Sequence, residues 1–211
     1  VPTPTFTPTP LPTPTFTQTP RPTATPTPIY VAVPLQELAL LAEELPGSGY
    51  SVFTDERFDP AGWGPSAWER LFSFSTGGGD YLWVVLRLHK LDDPNAVSFI
   101  QVQACVRRDP SSTALVDEMP APVTGDGTKV CRYRYDDGTR WFVYATGARR
   151  VAVHLQVNPK PTLSDSEAIN FLSAMARKQL AVIERAYEGR TPLHVVPMPT
   201  PTPVSTGHTA S

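Results

Sequence analysis

The chain has 211 residues, a formal net charge of −2 and 25 prolines, of which ten fall in residues 1–28 and four in residues 197–211. The 168 residues between, 29–196, therefore hold an ordinary proline content and are enough to bury a sizeable core. The composition excludes a collagen-like repeat and a coiled coil, no apolar run approaches the ~20 residues of a membrane-spanning helix, and the charge gives no electrostatic case for nucleic acid.

Residues 1–28 contain eleven threonines beside their ten prolines. Proline fixes φ and removes amide donors, so neither helix nor sheet propagates there. An extended polyproline II stalk of roughly 90 Å is expected, with threonines suited to O-glycosylation. Residues 197–211 repeat the theme as a shorter tail. A stalk of this kind before a folded domain implies an extracellular or cell-surface bacterial protein, although a linker inside a larger protein has the same composition. The chain begins at Val1 without a charged-plus-apolar leader, so a removed signal peptide or anchor is inferred.

The domain at 29–196 opens with apolar residues at 35, 38, 41, 42 and 45, the spacing of a helix, bounded by Pro34 and by Pro46-Gly47. A short strand is expected at 50–54, a Gly/Pro/Trp loop at 59–66 and a strand at 68–75. After the glycine turn at 76–80 comes a strand at 81–90. There Leu82, Val84, Leu86 and Leu88 share one face, and Tyr81, Trp83, Val85, Arg87 and His89 take the other. Asp93-Pro94 supplies an N-cap and a first-turn proline for a helix over about 94–107, followed by a polar loop at 109–127. Strands follow at about 128–135, 139–146 and 149–157. Asp137-Gly138 marks the first hairpin and Thr146-Gly147-Ala148 the second. Ser164 and Glu167 form a capping box for the longest helix, about 165–188, with Ile169, Leu172, Ala176, Leu180, Ile183 and Tyr187 as its core stripe and Gly189 as its stop.

The two cysteines, Cys105 and Cys131, lie in no metal-binding spacing. In an oxidising compartment they are expected to pair, closing a loop of 25 residues worth roughly 3 kcal/mol. Charge is graded along the domain: residues 34–70 carry seven acids and two bases, residues 127–160 seven bases and two acids. The two ends can attract each other, or the basic end can serve an anionic ligand.

The halves also resemble each other. The Phe72–Gly77 block parallels Phe142–Gly147 at an offset of 70. Val84, Leu86 and Leu88 parallel Val153, Leu155 and Val157 at 69. The helix start at Asp93 parallels Asp165 at 72. A duplicated strand–strand–helix unit is one explanation, and chance likeness of amphipathic elements is the other. Both give an α+β domain, an antiparallel sheet with helices packed on one face. The second sheet face is expected to carry Trp83, Arg87, His89 and His154, with Arg132 and Arg134 beside them. Such a face is either a platform for a glycan or small anion, or is covered by the 109–127 loop or the first helix.

No GxSxG, HExxH, P-loop or helix-opening GxGxxG is present. Gly77-Gly78-Gly79 sits between strands and lacks the helix N-terminus that phosphate binding uses. A hydrolase would need His89, His154 and a carboxylate brought within hydrogen-bond reach. The residues thus point to a non-enzyme that needs no cofactor.

The stretch Leu40-Leu-Ala-Glu-Glu-Leu-Pro-Gly47, the apolar strand at 82–88 with its following helix start, Ala148-Arg-Arg-Val-Ala-Val-His-Leu155 and the closing helix together resemble a broad group of secreted bacterial lipoprotein and surface domains. Their layout is similar to that of the extracellular sensor domains of actinobacterial Ser/Thr kinases. The chain has Glu44 where that group often has Asp, and Ala-Arg-Arg where Gly-Asn is usual. The resemblance implies a small extracellular binding or sensing domain whose partner is a glycan, a small anion or a surface protein. A structural subunit of a surface layer or filament, self-associating through its extended tail, is the other use such a chain could have.

Overall fold

The computed structural model describes residues 33–57, 67–74, 80–91, 105 and 114–194. The stalk, the tail, the 59–66 loop and the helix expected over 94–107, apart from residue 105, lie outside the described residues. The described elements are α1 (Leu35–Leu38), a 3-10 turn (Ala42–Glu44), β1 (Tyr50–Arg57), β2 (Ala67–Phe74), β3 (Tyr81–Lys90), β4 (Leu115–Glu118), β5 (Lys129–Arg134), β6 (Arg140–Ala148), β7 (Val151–Pro159) and α2 (Asp165–Tyr187). The seven strands form one antiparallel sheet in the order β1-β2-β3-β7-β6-β5-β4. Two helices complete an α+β architecture. None of the described helices is long and apolar enough to cross a membrane.

Alternation along each strand builds the core. Phe72, Val84, Leu86, Leu88, Phe142, Tyr144, Val153, Leu155 and Val157 are fully buried on one face. Against them α2 lays Ala168, Leu172, Met175, Ala176 and Ile183, also fully buried, so the stripe read from the sequence is the packed one. The helix starts where expected: Ser164 Oγ accepts from the Glu167 N–H at 3.3 Å, and the Glu167 carboxylate accepts from the Ser164 N–H at 2.8 Å. Gly189, at φ 67°, follows its end.

The single helix expected at 35–45 is broken after Leu38, because side chains from elsewhere take its backbone groups. The Gln179 amide donates to the Leu38 carbonyl at 2.8 Å and accepts from the Leu40 N–H at 3.1 Å. Arg70 Nη1 donates to the carbonyls of Ala39 and Leu40 at 2.8 and 2.9 Å. With Ala39 extended, Leu38, Ala39 and Leu40 are all completely buried, which consecutive residues of a surface helix cannot achieve.

Two bulges reshape one end of the sheet. Val52 pairs with Phe72 but Thr54 with Leu71, leaving Phe53 as the extra residue of β1. Tyr81 pairs with Pro159 but Trp83 with Asn158, leaving Leu82 as the extra residue of β3. The second bulge overturns the simple alternation: Tyr81 turns into the core, its ring centroid 4.1 Å from that of Phe171, while Leu82 is half exposed.

Other departures are local. The 109–127 loop contains β4, and its 119–127 part packs on the helix side, where Tyr144 Oη donates to the Pro122 carbonyl and the Thr146 hydroxyl to that of Thr124. Residues 119–127 therefore do not cover the opposite face, and residues 109–113 lie outside the described residues. The β6–β7 turn is Arg149-Arg150, both at positive φ (52° and 64°), and Thr146-Gly147-Ala148 remains in strand. The Asp137-Gly138 hairpin forms as expected, with Gly138 at φ 82°.

The sheet has an internal pseudo-twofold order about β3 and β7. Leu86 pairs with Leu155, its own counterpart at the offset of 69. In the flanking strands, however, Phe72 stands opposite Val84 while Phe142 stands opposite Val157, not Val153. The Phe72–Phe142 likeness is thus four residues out of structural register, and the two-residue turn of the second hairpin replaces the longer connection of the first.

Candidate functional site

Cross-strand register defines the sheet face opposite α2 as successive rungs, each running across the strands. The outermost rung is Ser73–Trp83–Asn158, continued by the Trp141–Tyr133 pair of β6 and β5. Inside it lie Leu71–Val85–Gln156–Val143–Cys131, then Glu69–Arg87–His154–Ala145–Lys129, and last Ala67–His89–Ala152–Gly147. The two ends of this face differ in kind. At the inner end Ala67, Ala145, Ala152, His89 and His154 are all buried, His89 and His154 at 1% exposure. At the outer end Trp83 is 37% exposed and Phe53 65% exposed, with the two rings edge-on at 5.5 Å.

Between the ends is an open hollow of about 290 Å³, lined by Glu69, Leu71, Trp83, Val85, Arg87, Trp141 and Gln156. Tryptophans from β3 and β6 flank it, and Val85 and Leu71 form its floor. An ion pair closes its inner side: Arg87 Nε donates to Glu69 Oε2 at 2.5 Å, both side chains about 15% exposed. The hollow thus offers two indoles, an apolar floor, one amide and a charge-compensated rim. Flat amphipathic rings that keep one polar atom are suited to contacts in which one side of a ligand is apolar and its edge is wet.

Four of the six residues expected on this face are on it: Trp83, Arg87, His89 and His154, with Arg87 directly opposite His154 across β3 and β7. Only Trp83 and Arg87 line the hollow. His154, expected among the platform residues, is buried, as is Ala152 beside it on this face. Arg132 and Arg134 are on the other face, because Arg132 stands opposite the core residue Phe142 and Arg134 opposite Arg140. There Arg132 pairs with Asp117 at 2.8 Å and with Asp165 in the first turn of α2. Arg140 meets the same Asp165 at 2.8 Å, and Arg134 meets Asp117 at 3.1 Å. The hydrogen bond from Arg132, outweighing a small desolvation effect, holds the Asp117 carboxyl below its ordinary range. Two bases of the 127–160 run, Arg132 and Arg140, thus bind the sheet to the helix start, and Arg134 binds β5 to β4.

Phe53, Trp141, Tyr133 and Asn158 were not singled out from the sequence, while alternation along 151–157 places Gln156 on the face of His154. Trp141 and Tyr133 could have been found from the Asp137-Gly138 turn, which fixes their pairing. Phe53 could not, because only its bulge turns it toward Trp83. Cys131 is buried in the second rung, with its Cα 5.5 Å from that of Cys105, a separation compatible with a disulfide. Cys105 therefore sits against this face at its β5 side, level with the rung of Val85 and Gln156 that lines the hollow. Among the described residues no cluster of three or more His, Cys, Asp or Glu side chains could hold a metal ion. The chain matches no known family and no characterised protein.

Proposed function

We propose that this is a non-enzymatic, extracellular or cell-surface binding domain of the sensor type, displayed on its Pro/Thr-rich stalk, and that it takes its ligand on the outer half of the open sheet face. The observation that carries the reading is the hollow between Trp83 and Trp141, with Phe53 extending its aromatic edge. Large aromatics at the exposed end of an otherwise well-packed sheet cost solvation unless something covers them, and exposed apolar patches mark interaction sites. The cysteine pair at disulfide distance and the Pro/Thr composition support the location. The resemblance in layout to bacterial sensor domains, read from the sequence, agrees with this mode of use. The structural-subunit alternative ranks lower, because the Phe53 bulge lies in the edge strand β1, a feature that disfavours pairing with a further strand.

Titrating the full chain with a panel of glycans and small anions, read by tryptophan fluorescence, tests this. A saturable change that Trp83→Ala removes is expected. Binding unaffected by Trp83→Ala and Trp141→Ala would overturn the assignment of the face.

A further inference from the structure

Accepting that the open face is the binding surface, we infer that its ligand class is a neutral, extended β-linked polysaccharide, lying across the strands along the aromatic rung. Two observations carry this. The first is spacing. Reading across the sheet, the outer rung presents Phe53 on β1, Trp83 on β3, Trp141 on β6 and Tyr133 on β5, in that spatial order. Neighbouring strands lie about 4.8 Å apart, so Trp83 and Trp141, two steps apart across β7, are separated by about 10 Å, and the whole strip spans about 24 Å. A β-1,4-linked pyranose chain is a flat ribbon whose sugar rings expose C–H faces on each side. The Trp83–Trp141 step is about one disaccharide of such a chain. Gln156 lines the hollow between the two indoles, where ring hydroxyls would need an amide partner, while Asn158 on the outer rung is buried and donates to the Arg140 carbonyl at 3.0 Å.

The second observation is charge. The bases that would have recruited an anion are spent. Arg132 and Arg134 face the helix, Arg87 is paired with Glu69 and Lys129 with Glu118, and Glu56, opposite Glu69, adds a negative charge at the β1 side. Among the described residues the bases of this face are thus charge-compensated, which disfavours an acidic glycan and leaves stacking and hydrogen bonding as the means of recognition.

The test uses the full chain with soluble cello- and chito-oligosaccharides of increasing length, insoluble cellulose and chitin, and hyaluronan as the anionic counterpart. Affinity for a neutral series is expected to rise with length until the chain covers the strip, then to level. Trp83→Ala and Trp141→Ala should each weaken it about tenfold. Trp83→Tyr should keep most of it, and added salt should have little effect. Phe53→Ala, at a 65% exposed position where folding is not at stake, should remove only the gain from the longest oligomers. If hyaluronan or another anion binds instead, salt-sensitively and with loss in Trp83→Ala, the ligand class is wrong while the face stands. If neutral oligosaccharides bind with no effect of either tryptophan, both are wrong. Binding that does not depend on length would overturn the across-strand geometry.

Discussion

Replacing Arg70 with methionine probes how the first segment of the domain is held. Arg70 is 5% exposed and sits on the core face of β2. It donates to the carbonyls of Ala39 and Leu40 and, through Nε and Nη2, to both oxygens of Asp55 at 2.9 and 2.8 Å. Methionine fills a similar volume, so the loss is not mainly a cavity. Three carbonyls lose this donor, those of Ala39 and Leu40 and, at 3.4 Å, that of Gln36, in a region where Leu38, Ala39 and Leu40 are fully buried. Asp55 keeps Trp68 Nε1, at 2.6 Å, and the Gln36 side chain as donors but loses its guanidinium partner. Removing one partner of a buried pair costs about 3–5 kcal/mol, and each orphaned carbonyl contributes to that figure at about 1–3 kcal/mol. For a domain of this size the melting temperature should fall by roughly 6–20 °C. Urea unfolding of the parent and the variant measures the difference directly. Gln179→Ala, which frees the Leu38 carbonyl and the Leu40 N–H, should be strongly non-additive with it, since both hold the same three residues. A loss below about 1 kcal/mol for Arg70→Met would show that the segment is held by apolar packing alone.

The remaining outcomes are more local. Arg150→Gly should raise stability by about 1 kcal/mol, because φ 64° costs a residue with a Cβ and glycine nothing; differential scanning calorimetry reads it. Gly125→Ala should do the reverse by about 2 kcal/mol or more, since a Cβ there would meet the Gly147 carbonyl at 2.2 Å in a backbone already at φ 57°. Leu155→Ala, at the pseudo-twofold centre of the sheet, should cost about 2–5 kcal/mol in chemical unfolding. Acid should destabilise the fold. Burial raises the Asp55 carboxyl, but hydrogen bonds from Arg70 and Trp68 and the Arg70 charge bring it below its ordinary range, and the hydrogen bond from Ser164 lowers Glu167. Groups depressed in the folded state stabilise it above their unfolded pKa. That contribution is lost as pH falls below about 4, so unfolding midpoints should be flat from neutrality to about pH 5 and drop below it, and a midpoint rising on acidification would contradict the assignment.

Much of the fold was legible because hydrophobic periodicity survives packing. Strand β3 and the stripe and capping box of α2 follow from local pattern alone. What was hidden depended on distant partners. Nothing near Leu38 says that Arg70 and Gln179 will take its backbone groups, so the helical spacing at 35–45 overran. Leu82 reads as a core residue until a bulge exchanges it with Tyr81. Arg149-Arg150 lacks the glycine or asparagine that marks positive φ, while Gly147 next to it offers a false signal. Arg149 is held there by Glu184 at 2.9 Å and by the Tyr187 ring at 4.2 Å, contacts that exist only once α2 has docked. The candidate site was half legible for the same reason. Alternation placed Trp83 and Arg87 together. The parity of β5 relative to the core, which sends Arg132 and Arg134 to the helix side, is set by Val130 and Cys131. Both are apolar and buried on opposite faces, so composition could not choose between them.

The most direct test of the open face as the functional surface is a residue-resolved amide chemical-shift titration of the full chain with cellohexaose and chitohexaose. Saturable perturbations confined to Phe53, Ser73, Trp83, Asn158, Trp141 and Tyr133 with the adjoining Val85 and Gln156 are the predicted result. Perturbations centred instead on the helix side, around Met119, Asp165 and Ile169, or none along the aromatic rung when a ligand binds, would contradict it.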